Sequence, residues 1–231
     1  MMEDHPHADG SQVGRRLATP HAAAIAGIAF AALFGTATVL FRLSVPADPG
    51  DPGEWLDTNS GRVKLALWLV PFGGIAFLWF IGVVRDRLGD REDRFLSSVM
   101  FGSGLLYLAM TFVAAALVGA LIATYEAAPE QTITSGIYAF DRQAIFHISN
   151  SFGVRMAGVF MFSTGSIWLR SGAMPRWIIA ITYLLALVQL VGIGISLWST
   201  MVFPIWVLIV SIHFLVRGAA PDDVDVPDSG R

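Results

Sequence analysis

The ten residues Arg85–Arg94, RDRLGDREDR, include eight charged side chains and stand between two runs with no charge at all, Leu65–Val84 and Phe95–Tyr125. A charge at the centre of a hydrocarbon layer costs roughly 2.5–3.5 kcal/mol on insertion scales, so this knot belongs outside a layer that the flanking runs cross. Runs of about 20 apolar residues match a core about 30 Å thick at 1.5 Å rise per residue. A soluble core would not hold apolar stretches of that length on either side of a charged loop.

Composition agrees with that class. Of the 231 residues 55% are hydrophobic and 14% charged, against about 25% charged in soluble domains. The net charge of −3 gives no basic footprint for nucleic acid. Cysteine is absent, which excludes disulfides, thiolate catalysis, iron–sulfur clusters and covalently attached haem.

Taken along the chain, residues 1–19 read as a disordered polar tail, 20–217 as a transmembrane domain and 218–231 as a second disordered tail. Six spans are expected: Pro20–Leu43, Val63–Val84, Phe95–Thr124, Asn150–Leu169, Trp177–Trp198 and Ile205–Val216. The first is too long for the h-region of a signal peptide and lacks a small-residue cleavage site, so it is read as retained. Only helices and closed barrels satisfy every backbone group in lipid, and these runs lack the alternation of barrel strands. The expected fold is therefore an all-α membrane protein, a bundle of six transmembrane helices. Residues 44–61 read as a turn-rich acidic loop, and 136–149 as a helix either lying on the surface or extending the fourth span.

Orientation follows the distribution of Arg and Lys rather than net charge. One set of loops and ends holds Arg15, Arg16, Arg85, Arg87, Arg91, Arg94, Arg170, Arg176 and Arg217; the other holds Arg42, Arg62, Lys64, Arg142 and Arg155. The richer set places both termini in the cytoplasm, as for a protein of a bacterial inner membrane. The seven tryptophans fall mostly near expected span ends, where interfacial indoles belong.

Four polar residues spaced by four, Gln143, His147, Ser151 and Arg155, form one stripe on a continuous helix entering the fourth span. This is the candidate ligand-binding site, an outward-facing polar groove for an anionic group or a proton path through His147. Its structural counterpart is an arginine snorkelling to the headgroups or paired with Glu126 or Asp141. The Ser163–Ser166 cluster and Gln189 could line a path, or simply pack between helices. His21, His147 and His213 do not form a recognisable haem motif, and His5 and His7 read as solvated tail. Asp48, Asp51, Glu54 and Asp57 recur by three rather than in the alternating pattern of a calcium loop. No catalytic signature, metal site or cofactor is expected.

The stretch Gly82-Val-Val-Arg-Asp86-Arg87-Leu-Gly89-Asp90-Arg91 resembles the loop signature between the second and third spans of major facilitator transporters. Gly82, Asp86, Arg87, Gly89 and Arg91 match that pattern, and Asp90 stands where a basic residue is usual. Six spans are half that family's twelve, so the resemblance implies a small-molecule transporter working as a dimer of six-span halves. The chain as a whole resembles six-span integral membrane proteins of high-GC, actinobacterial-type bacteria. The residues themselves point first to a multi-pass, non-catalytic binding or accessory component. Its expected partners are the lipid bilayer and either a second copy or another membrane protein.

Overall fold

The computed structural model describes residues 10–48, 50–86, 94–192 and 197–218, and these are mostly helical, with no strand among the described residues. Among the described residues nine α-helices follow in order: α1 Gly10–Ser44, α2 Trp55–Thr58, α3 Ser60–Asp86, α4 Arg94–Ala127, α5 Pro129–Thr134, α6 Ile137–Phe146, α7 Val154–Ser171, α8 Arg176–Val191 and α9 Val202–Gly218. A π-turn, His147–Gly153, joins α6 to α7, and a 3₁₀ turn, Leu197–Met201, leads into α9. Of the charged knot, residues 87–93 lie outside the described residues, and with them Arg87, Gly89, Asp90 and Arg91 of the transporter-like signature. The same holds for residues 1–9 and 219–231 of the expected tails, while the α1 backbone is helical back to Gly10.

Five helical stretches among the described residues are long and apolar enough to cross a membrane: Ala22–Ser44, Ser60–Arg85, Arg94–Ala127, Ile137–Ser171 and Trp198–Val216. The sixth apolar helix, α8, has 16 residues, about 24 Å of rise and short of a 30 Å core. This inverts the expected lengths of the last two spans. α8 stops at Val191, where the Gly192 backbone leaves helical geometry at φ −76° and ψ 42°. The final segment gains length from the 3₁₀ turn, with Pro204 in the first turn of α9, where a missing N–H leaves no bond unmade. Residues 137–171 form one helical rod, so the segment before the fourth span extends it rather than standing apart.

α1 packs along α3 and α9, while α7 packs on α4 and α8. Lipid tails are as apolar as the helices, so packing rather than water exclusion holds the bundle together. Small residues allow the close approaches. A Cβ at Gly158 of α7 would lie 3.1 Å from the Ala186 carbonyl oxygen and from Gln189 Cβ of α8. One at Gly27 of α1 would collide with Ser211 Oγ of α9 and come within 2.9 Å of the Phe80 ring.

The centre is a knot of aromatic rings with Phe203 at its hub. Its ring centroid lies 4.7 Å from Tyr107, 5.4 Å from Phe77, 5.7 Å from Phe160 and 5.9 Å from both Phe30 and Trp206. Most of these pairs are edge-to-face, the arrangement that the ring quadrupoles favour. Trp206 and Trp168 are buried against each other, 5.9 Å apart, and are not interfacial indoles. Trp79, Trp68 and Trp177 do face outward, as do Leu184, Leu187 and Val191.

One end of the bundle carries a cap built from α2, α5 and α6. Val45, Trp55, Leu56, Val63, Leu121, Tyr138 and Ile145 bury one another there, so the segment expected as a solvated loop has its own small core. Trp55 Nε1 donates to the Tyr138 hydroxyl at 3.0 Å, Tyr125 donates to Asp57 at 2.8 Å, and Lys64 pairs with Glu126 at 2.6 Å. Asp48 and Asp51 accept from the backbone N–H of Gly50 and Gly53, as turn carboxylates do.

Candidate functional site

The polar stripe lies along the 137–171 rod. His147 Nδ1 and Ser151 Oγ stand 3.5 Å apart, at the edge of hydrogen-bonding distance, and the Arg155 guanidinium donates to the Ser151 main-chain carbonyl at 2.8 Å. Gln143 and His147 are exposed, and Ser151 and Arg155 are half-buried. Arg155 is not paired with Glu126, whose carboxylate is taken by Lys64. The structure thus joins His147, Ser151 and Arg155 into a surface chain with Gln143 one turn earlier. None of the four lines the three main cavities among the described residues.

Those cavities meet at a different arginine. Arg42, in the last turn of α1, is a wall of all three. The outermost is a vestibule of about 600 Å³ at the cap, bordered by Pro46, Asp51, Glu54, Trp55 and Asn59. The second is a pocket of about 40 Å³ between Arg42 and Arg142, closed by Ser149 and Asn150. The third is an inner cavity of about 120 Å³. Its apolar walls come from Phe34, Val70, Tyr107, Val118 and Phe203, and its polar ones include Ser149, Gln189 and Thr200. Phe203 and Tyr107 also belong to the aromatic knot, which ends the cavity on the side away from the cap.

The Arg42 guanidinium donates to Asn150 Oδ1 at 3.0 Å and reaches Thr200 Oγ1 at 3.5 Å, and its Nε is buried with no hydrogen-bond partner. Among the described residues no carboxylate lies within ion-pair distance of it. Arg142, only 9% exposed, donates to the main-chain carbonyls of Pro46 at 2.7 Å and Asp48 at 3.1 Å. Its Nε is likewise unpartnered. Two guanidiniums that flank one pocket with neutral acceptors form a centre of uncompensated positive charge. In a low-dielectric setting such charge draws an anion strongly.

The inner cavity has a polar feature of its own. Gln189 is 1% exposed, and among the described residues neither its amide nitrogen nor its amide oxygen has a partner. A buried amide left unpaired costs about 1–3 kcal/mol, so its natural complement is a donor or acceptor inside the cavity it lines. Thr38 and Thr111, also on that wall, turn their hydroxyls back to the carbonyls of Phe34 and Tyr107 and so present methyl groups. Arg42 and Gln189 therefore stand out beside Ser149 and Thr200 as the polar wall groups with buried atoms left unpartnered.

The π-turn shapes this arrangement, as such turns often do at functional sites. It carries Ser149, Asn150 and Gly153 on the cavity side while His147 faces outward. The sequence leaves Gln189 either lining a path or packing between helices, and marks Arg42 only as one cation of the sparser loop set. The signal for Arg42 was its position, a lone cation at the end of an apolar run with no acidic neighbour on the same helix. No known protein family, curated protein or solved structure matches the chain.

Proposed function

We propose that the chain is a six-span membrane protein with both termini in the cytoplasm, acting as a non-catalytic small-molecule binding component. α8 would supply the sixth crossing. The excess of arginines at the loops away from the cap supports this orientation, in the inner membrane of a bacterial cell. The cap and its vestibule then open outward. The observation that carries the reading is Gln189, buried with an unpaired amide against a cavity that runs inward from Arg42.

Native mass spectrometry of the protein purified in lipid tests it. A retained small molecule in the wild type that is lost in Gln189→Leu is the expected result. An identical, ligand-free mass for both, with no added compound raising thermal stability, would count against a binding role. Reporter fusions at Gly50 and Gly89 test the orientation; activity of a cytoplasmic reporter at Gly50 would reverse it.

A second reading, a small-molecule transporter acting as a dimer of six-span halves, is favoured by one observation. The cavity reaches inward as far as Phe34 and Phe203 and is closed beyond them by the aromatic knot, the form of a pathway open on one side. Counterflow of a bound compound in proteoliposomes separates the two readings, since a binding component will saturate without exchange.

A further inference from the structure

We infer that the ligand is a small organic monocarboxylate with a second hydrogen-bonding group at its far end, its carboxylate held by Arg42 beside Arg142 and its far group met by Gln189. This rests on the cavity being the binding site and names the chemistry that fits it. The anionic end follows from the two guanidiniums, each with a buried and unpartnered Nε. Among the described residues, Arg42 donates to the neutral side chains of Asn150 and Thr200. The pocket between the arginines, about 40 Å³, exceeds the roughly 10–15 Å³ that one water needs and admits one carboxylate-sized group. Asp51 and Glu54 on the vestibule wall disfavour polyanions at the entrance.

Size and shape follow from the inner cavity. Its volume of about 120 Å³ is close to the roughly 150 Å³ of an engineered cavity that accepts benzene, so the apolar body is one ring or a chain of comparable bulk. The second polar group follows from depth along the 137–171 rod. Gln189 lies against Gly158, about two helical turns, or roughly 10 Å, beyond Asn150. A carboxylate and a hydroxyl on opposite ends of one ring span that separation when each also makes a hydrogen bond. Such a ligand would supply the missing partner for a side chain that is 1% exposed.

The same carboxylate chemistry could come from a soluble acid or from a lipid-derived fatty acid, and the probes distinguish them. Full-length protein in phosphatidylcholine nanodiscs is titrated with 4-hydroxybenzoate, benzoate, hexanoate, dodecanoate and the neutral 4-hydroxybenzamide, with binding read by calorimetry and melting by tryptophan fluorescence. Saturable binding of 4-hydroxybenzoate, tighter than benzoate and much tighter than the benzamide, is expected. Arg42→Gln should weaken it roughly 10- to 100-fold, the range of a lost charge-assisted hydrogen bond. Gln189→Leu should abolish the preference for the hydroxylated acid while leaving benzoate unchanged or tighter. Because Arg42→Gln could impair folding, Asn150→Asp serves as the second variant. It places an internal carboxylate against Arg42 and should remove the response to every acid while the protein melts no lower than wild type. Tightest binding of dodecanoate, still dependent on Arg42, would keep the carboxylate and assign it to a fatty acid, overturning the second polar group. Equal binding of the benzamide and the acid, lost in Gln189→Leu, would overturn the anion while leaving the cavity a binding site. Absence of binding by all five probes, with Gln189→Leu melting as wild type or higher, would overturn both this inference and the binding role.

Discussion

The Arg42 guanidinium donates to the side-chain carbonyl of Asn150 at 3.0 Å, and the Asn150 amide in turn donates to the main-chain carbonyl of Phe146 at 3.2 Å. The end of α1 is thereby tied to the π-turn through one neutral side chain. That neutrality leaves the cation uncompensated, and it makes Asn150 the position where the charge of the site can be changed with the fewest atoms. Asn150→Ala should lower stability by about 1–2 kcal/mol, since it removes the acceptor of a partly buried guanidinium. Asn150→Asp should raise it by a similar amount. Thermal melting in nanodiscs checks both signs, and a lower melting temperature for the aspartate would contradict the geometry.

Arg142 clamps the loop after α1 by donating to the carbonyls of Pro46 and Asp48. Replacing it with Met keeps the apolar stem and removes both bonds. Stability should fall by about 1.5–3 kcal/mol, and amide exchange should quicken across residues 45–48 and 50–59, with little change in α8. Unaltered exchange in the cap would show that its core of Trp55, Leu56 and Tyr138 holds the loop without the arginine.

Phe203 is the hub of the aromatic knot and also a wall of the inner cavity. Phe203→Ala should destabilise the protein by about 3 kcal/mol, at the low end for such a truncation because the ring leaves no water-facing state behind in lipid. The same change should deepen the cavity, so a biphenyl carboxylate too bulky for the wild type should bind the variant. A variant that melts normally and keeps the original size limit would mean that the neighbouring rings collapse into the space.

Gly27→Ala should be markedly destabilising, because its methyl group would meet Ser211 Oγ and the Phe80 ring. Ser211→Ala removes one of those obstacles, and the Ser211 hydroxyl has no partner to lose. The double variant should therefore melt above Gly27→Ala alone, a non-additivity that a thermodynamic cycle will measure. Simple additivity would place the strain on Phe80 instead.

The spans were legible because a membrane-crossing helix announces itself in a single stretch of residues. Leu65–Val84 and Phe95–Tyr125 are helical throughout. The stripe from His147 to Arg155 was legible for the same reason, since residues four apart on one helix must be neighbours. The cavity was not, because its walls come from α1, α3, α4, the 137–171 rod, α8 and α9, and no local spacing relates Arg42 to Gln189. Trp168 and Trp206 illustrate the limit from another side. Indoles near span ends read as interfacial, yet here a third dimension turns them inward onto each other. The end of α8 depended on the backbone geometry of Gly192, one glycine among several in that stretch.

The π-turn at His147–Gly153 accommodates about one residue more than an α-helix would over the same rise. One residue is about 100° of rotation, so the faces of α6 and α7 are set out of phase along what is otherwise a single rod. α6 can therefore aim Arg142 at the loop after α1 while α7 keeps Gly158 and Phe160 aimed at α8 and the aromatic knot. With uninterrupted α-geometry the two jobs would compete for one stripe of sequence. The extra residue acts as a gear between two reading frames of the same helix, letting the cap and the core each set their own register.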